Sequence, residues 1–145
     1  IMQLNSFLFS NKSLTNTALL LGRITTGFLM VKLHGWSKLM AGTERWEGLG
    51  SQLAEAIGVD FMSIPLGFMA SFAESIAAVL IILGLTTRPA AFLLAFTMLV
   101  ASFKKLEGGL KAAELPLLFL ILSLIILLCG AGKYSLDHRI FGRKK

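Results

Sequence analysis

The sequence predicts an all-α membrane protein: a four-transmembrane-helix bundle with a short interfacial amphipathic helix between helices 1 and 2, in one domain over residues 1–145. Three observations carry that reading. Hydrophobic residues make up 55% of the chain and charged residues only 15%, against about a quarter charged in soluble domains. Four apolar runs, at about residues 14–33, 64–86, 89–106 and 112–132, come close to or exceed the roughly 20 residues that cross a bilayer. The basic residues behind the net charge of +6 gather at the ends of those runs, and no basic, aromatic-interleaved stretch points to nucleic acid. Membrane lipids are the expected partners, and nucleic acid is not.

The first run carries small residues at Gly22, Thr26 and Gly27 but is interrupted by Arg23 and Lys32. No small-residue cleavage site follows it, so it is expected to remain as a span rather than be removed as a signal. Between Ala41 and Ser63 the charge density rises, while Trp46, Leu49, Leu53, Ala56 and Ile57 recur at helical spacing. That pattern predicts an amphipathic helix lying at the interface. The second run holds one charge, Glu74. The third starts at Pro89, suited to a first helical turn, and its charge-free stretch ends at Phe103. Such a stretch is short for a span and needs Lys104 and beyond to snorkel. The fourth, with Glu114 and Pro116 near its start, continues LLFLILSLIILLC without a charge. Cys129 is the one cysteine, which excludes an internal disulfide and any CxxC or cysteine-based metal site, and no metal is expected.

Four spans put both termini on one side. That side collects Lys12, Arg88, Lys133, Arg139, Arg143, Lys144 and Lys145, against Lys38, Arg45, Lys104, Lys105 and Lys111 opposite. The positive-inside bias then predicts cytoplasmic N and C termini in a cell inner membrane.

Arg23 and Glu74 stand inside apolar runs, where an unpaired charge costs at least ~2.5 kcal/mol even on a lenient insertion scale. Counting ~1.5 Å per residue from Lys12 and from Arg88 places them ~16 and ~21 Å deep, close enough to pair. Two readings stay open: a structural ion pair, or a polar cavity that binds a ligand or relays a proton. His34 and Lys38 form a second group at the outer end of the first run, with Trp36 between them. Lys38 and Trp36 suit an interface anchor, and His34 can exchange protons near physiological pH. Glu114, at the start of the fourth run, belongs to the same outer side, as a helix-start carboxylate or a further site group. The other histidine, His138, follows the last run, so bis-histidine haem is not expected. GxGxxG, P-loop, GxSxG and HExxH patterns are absent.

Arg23, Ile24, Gly27, His34, Gly35, Lys38 and Leu39 resemble the RxxxG...HGxxK opening of DoxX-type membrane proteins. Ala73 and Glu74, followed by Leu83, Gly84, Leu85, Thr86, Thr87 and Arg88, resemble that family's A-E...LGLxTR stretch. The close, from Glu114 to Gly130, Ala131, Gly132, Lys133, Tyr134, Ser135, Leu136 and Asp137, is similar to its E...GxGxxSLD ending. Many members carry a histidine after the third segment, where this chain has Met98, Ala101, Phe103, Lys104 and Lys105. The resemblance implies a four-helix membrane subunit, tied in some members to quinone-linked redox chemistry such as thiosulfate oxidation and in others to oxidant defence.

On that basis the expected function is to hold a quinone or similar lipid-like headgroup in a polar intramembrane pocket. Arg23, Glu74 and His34 would line it, with Lys38 and Glu114 as further candidates for ligand binding or proton relay. No covalently bound cofactor is expected. The chain has no electron carrier of its own, so it is not expected to be a complete enzyme, and a redox protein subunit is the expected partner. The alternative is a structural or assembly subunit of a larger membrane complex. A transporter is disfavoured, because no inverted repeat or pair of broken helices is visible.

Overall fold

The computed structural model describes residues 12–142, and every regular element among them is helical. Arg143, Lys144 and Lys145, three of the expected orienting charges, lie outside the described residues, as does the side chain of Lys12. In chain order the elements are α1 (Lys12–Met30), a π turn (Val31–Gly35), α2 (Trp36–Leu39), α3 (Thr43–Ile57), a 3-10 turn (Asp60–Met62), α4 (Ser63–Phe72), a second π turn (Ala73–Ala77), α5 (Ala78–Leu83), α6 (Thr87–Leu106), α7 (Leu110–Cys129) and α8 (Leu136–Phe141). Helices long and apolar enough to cross a membrane run Ser13–Leu39, Asp60–Leu83, Thr87–Leu106 and Leu110–Cys129. The chain is a membrane protein of four such helices.

Their surfaces are those of helices in lipid. Leu21, Phe28, Phe92, Phe103, Leu118 and Leu128 are each at least half exposed, and in water that much contiguous apolar area would drive association. The interior is instead narrow and built from small residues: Ala73, Ala77, Ala78, Ala90, Ala91, Ala95 and Ala113 are all buried. Lipid chains are as apolar as leucine, so close backbone approach has to hold such helices together. α6 and α7 pack along their lengths as a hairpin, and α1 lies along α5. α6 extends past its charge-free stretch to Leu106, because Lys104 and Lys105 occupy its last turn, where cations suit the helix end. Its 20 residues span ~30 Å, the thickness of a hydrocarbon core.

The expected amphipathic helix forms as α3, and its small-residue side packs antiparallel on α4. A side chain on Gly50 would collide with the backbone of Ser63 and Gly67, and one on Gly67 with that of Trp46, so the two backbones touch. Ala54 is fully buried one turn further on, and the Trp46 and Phe68 rings meet edge to face at 5.0 Å. α3 therefore lies beside α4, the N-terminal half of the second span.

Candidate functional site

Two polar clusters sit inside this apolar frame. The first lies where the two π turns face each other. A π turn inserts one residue into the helical ladder and re-aims the side chains beyond it, and such turns recur at functional sites. Gly35 closes the first π turn directly against the Glu74 carbonyl and the Ser75 nitrogen, where any side chain would collide. That contact sets Lys38, one turn on, beside Glu74. The Lys38 Nζ donates to Glu74 Oε2 at 2.5 Å, with the Glu74 side chain 4% exposed and that of Lys38 21%. Ten residues separate Glu74 from the helix end at Gly84, a depth of ~15 Å, half of a hydrocarbon core.

His34, one turn before Lys38, is half-buried and packs edge-on against Phe119 of α7, with ring centroids 6.0 Å apart. Its ring nitrogens make no hydrogen bond among the described residues. Trp46 Nε1 donates to the Lys38 carbonyl at 3.0 Å, pinning α3 over the end of the first span. A buried carboxylate, an ammonium that partly reaches the surface and an imidazole with free nitrogens make a set that can bind a polar headgroup and move protons.

The second cluster closes the opposite end. The Arg23 side chain is fully buried, and its Nη2 donates to the Tyr134 carbonyl at 2.6 Å and Nη1 to the Ile81 carbonyl at 3.4 Å. Gly84 caps α5 in a left-handed conformation, φ +66°, that glycine adopts without a Cβ penalty. Its missing side chain also leaves the space that the guanidinium fills. Asp137 Oδ1 accepts from the Thr86 N–H at 2.7 Å and Oδ2 from the Thr87 N–H at 2.9 Å, capping α6, while the Asp137 N–H donates to the Gly84 carbonyl at 2.8 Å. Those bonds hold Thr86 at φ +46°, an unfavourable backbone for a β-branched residue. Burial pushes the Asp137 carboxyl up, but the hydrogen bonds from Thr87 and Thr86 and the charge of Arg23 outweigh it and hold the carboxyl below its ordinary range. Asn16 Oδ1 accepts from the Lys133 N–H at 2.9 Å, so the start of the first span and the segment after the fourth share this end.

The expected pairing of Arg23 with Glu74 is therefore corrected: Glu74 pairs with Lys38, and Arg23 with backbone carbonyls near Asp137. Lys38 belongs with Glu74 rather than in a separate outer group, while His34, one turn before it, packs on Phe119. Glu114 stands exposed at the start of α7 beside Lys111, in an open apolar groove of about 450 Å³ with Leu117, Leu118 and Ile121, and it bonds to none of the other candidates. Trp46 and Asp137 are the contributors whose roles sequence reasoning missed. Among the described residues no group of three or more His, Cys, Asp or Glu side chains could hold a metal ion.

Comparison with known proteins matches residues 18–105 to the DoxX family model. A protein of Haemophilus influenzae described as an uncharacterized protein is 29% identical over 127 residues, covering 82% of this chain and 87% of that protein. No solved structure matches. The matched segment carries Arg23, His34, Gly35, Lys38, Glu74 and Gly84, the residues on which both clusters are built from the first two spans. The chain belongs to the DoxX family.

Proposed function

We propose that this protein is a membrane subunit that holds a quinone headgroup against Lys38, Glu74 and His34, while a partner protein carries the redox centre. The observation that supports it most is the buried Lys38–Glu74 pair halfway along a span, beside a histidine whose ring nitrogens make no bond within the described residues. A structural pair needs only its two members. Here the Lys38 side chain is partly exposed while that of Glu74 is enclosed. A quinol would supply two electrons to the partner and two protons to this chain. Lys38 orients the headgroup by donating to its oxygen, Glu74 accepts one proton and His34 the other. Arg23 has no part in this set, because its guanidinium lies at the far end, where it donates to the Ile81 and Tyr134 carbonyls.

Trp46, bonded to the Lys38 carbonyl, supplies a native probe of the site. In a Trp36→Phe background, a short-chain ubiquinone should quench Trp46 fluorescence saturably, and His34→Gln should weaken the apparent affinity by about tenfold, the value of one good hydrogen bond to a charged or polar headgroup. Unsaturable quenching, identical in the two proteins, would leave the structural or assembly subunit as the better account. The reading also puts both termini in the cytoplasm of an inner membrane, supported by Arg88, Lys133 and Arg139 at the Arg23 end. A reporter active only outside the cytoplasm, fused after Lys145, should stay silent.

A further inference from the structure

Of the charges that stand deep along the spanning helices, three have partners. Arg23 donates to backbone carbonyls, and Lys38 and Glu74 hold each other. Lys32 is the fourth. It is exposed on the outside of the first span and makes no hydrogen bond or ion pair among the described residues.

Two contacts fix its depth. Gly27 lies against the Ala78 carbonyl and Ile82, and Gly35 against the Glu74 carbonyl and the Ser75 nitrogen, so Lys32, between them in the chain, stands level with Ser75 to Ala78. Those two residues precede Gly84 by nine and six positions, which puts Lys32 ~9 to ~14 Å inside that end of the span. Helical side chains lean toward the N-terminus of their helix, and the lysine stem, five bonds of about 1.5 Å each, is too short to carry the ammonium out on that side. Around it Phe28, Leu29, Leu33 and Trp36, all exposed, fall within one helical turn.

An ammonium inside the hydrocarbon and facing outward lacks both water and counter-charge, a placement that membrane proteins relieve by pairing it. Lipid phosphates stay at headgroup level, beyond the reach of the stem. A second copy of the chain has no acid to offer at this depth. Among the described residues the acids of the spanning helices are Glu74, enclosed against Lys38, and Asp60 and Glu114, near the helix starts on the side away from Gly84.

We propose that this face of the first span docks a transmembrane helix of another protein, one that carries an aspartate or glutamate at the depth of Lys32. The ammonium donates to that carboxylate in a charge-assisted bond, and Phe28, Leu29, Leu33 and Trp36 pack around the pair and keep lipid from it. The surface is separate from the Lys38–Glu74 site, and the inference stands whether or not that site holds a quinone.

Photo-crosslinking in the native membrane tests it, with p-benzoylphenylalanine in place of Leu33 and, separately, of Phe28, and with Leu118 on the fourth span as the control position. Both test positions should give one protein adduct that the control does not. Lys32→Leu should reduce that adduct about tenfold, the worth of one charge-assisted bond, and Lys32→Arg, which keeps the charge, should retain it. The captured protein should carry an intramembrane Asp or Glu, and changing that residue to its amide should reproduce the loss. Labelling of lipid alone, an adduct between two copies of this chain, an adduct indifferent to Lys32→Leu, or a captured protein without an intramembrane carboxylate would each overturn the proposal. Purified Lys32→Leu should be at least as stable in detergent as the wild type, since no partner inside the chain is lost. A lower unfolding midpoint would show that the ammonium is already paired within the fold, and the docking surface would lose its basis.

Discussion

Two buried charges stand inside apolar runs, and the protein treats them in opposite ways. Arg23 is enclosed completely and held by the carbonyls of Ile81 and Tyr134, two fixed points from distant parts of the chain. Glu74 is buried almost as deeply but is held by one flexible side chain that itself reaches the surface. Backbone acceptors cannot leave, so the Arg23 end behaves as a permanent joint. A lysine on a four-carbon stem can swing aside or share its protons with a third party. The contrast separates a residue that fastens the fold from one that can work in it.

The largest expected effect is a test of which charges are coupled. Removing one member of a buried pair typically costs ~3 to 5 kcal/mol because the other is stranded. Glu74→Gln and Lys38→Met should each lower folded yield and unfolding midpoint in detergent, and the double variant should be milder than the worse single one. Arg23→Leu combined with Glu74→Leu should instead show additive losses, as separated sites do. Coupling between Arg23 and Glu74 in this cycle would break the comparison, since the two would then share one site.

Sequence reasoning paired Arg23 with Glu74, and the reason it misled is geometric. The depths were counted from Lys12 and from Arg88 as though both lay at one level. The Asn16–Lys133 bond shows that the first span starts beyond the ends of its neighbours, so Arg23 lies level with Gly84 rather than with Glu74. The four spans were legible because long apolar runs have few other fates, and the helix at Thr43–Ile57 because its periodicity survives its charges. The packing partner of α3 was not legible, since Gly50 and Gly67 signal close approach without naming the surface approached. The π turns at Val31–Gly35 and Ala73–Ala77 left no mark, having neither a proline nor a shared composition. His34, Lys38 and Glu74 were each found as candidates from their residue type and place. That Lys38 meets Glu74 depends on the Gly35 contact, which only the folded chain reveals.

That contact gives the next, smaller effect. Gly35→Ala puts a methyl group against the Glu74 carbonyl, a backbone atom that cannot rotate away. The spans must separate locally, at a cost of ~1 to 3 kcal/mol for an overpacked interior, and the Lys38–Glu74 geometry loosens with them. Gly22→Ala, in the same span but with open space around it, should be neutral or slightly stabilising, because alanine favours the helix by about 1 kcal/mol. Equal stability of the two variants in thermal unfolding would show that the π turns do not dock as described.

The smallest effect concerns acid. In the folded protein the Asp137 carboxyl lies below its ordinary range, held there against burial by the Thr87 and Thr86 N–H groups and by Arg23. A depressed carboxyl contributes stability that is fully present above its unfolded value of ~3.9 and is lost as pH falls through the folded value. Wild-type stability should therefore be flat from neutral pH down to about 4 and decline below it. Asp137→Asn should be less stable at neutral pH, because the amide pairs less strongly with the two N–H groups and leaves Arg23 without its acid. The gap between the two proteins should then narrow below about pH 4, as the wild-type carboxylate takes up its proton. Glu74 and its own titration are common to both proteins, so their difference isolates the joint from the working pair. A gap that stays constant through the acid range would mean that Asp137 holds the corner by shape alone, and that charge at the Arg23 end carries none of its stability.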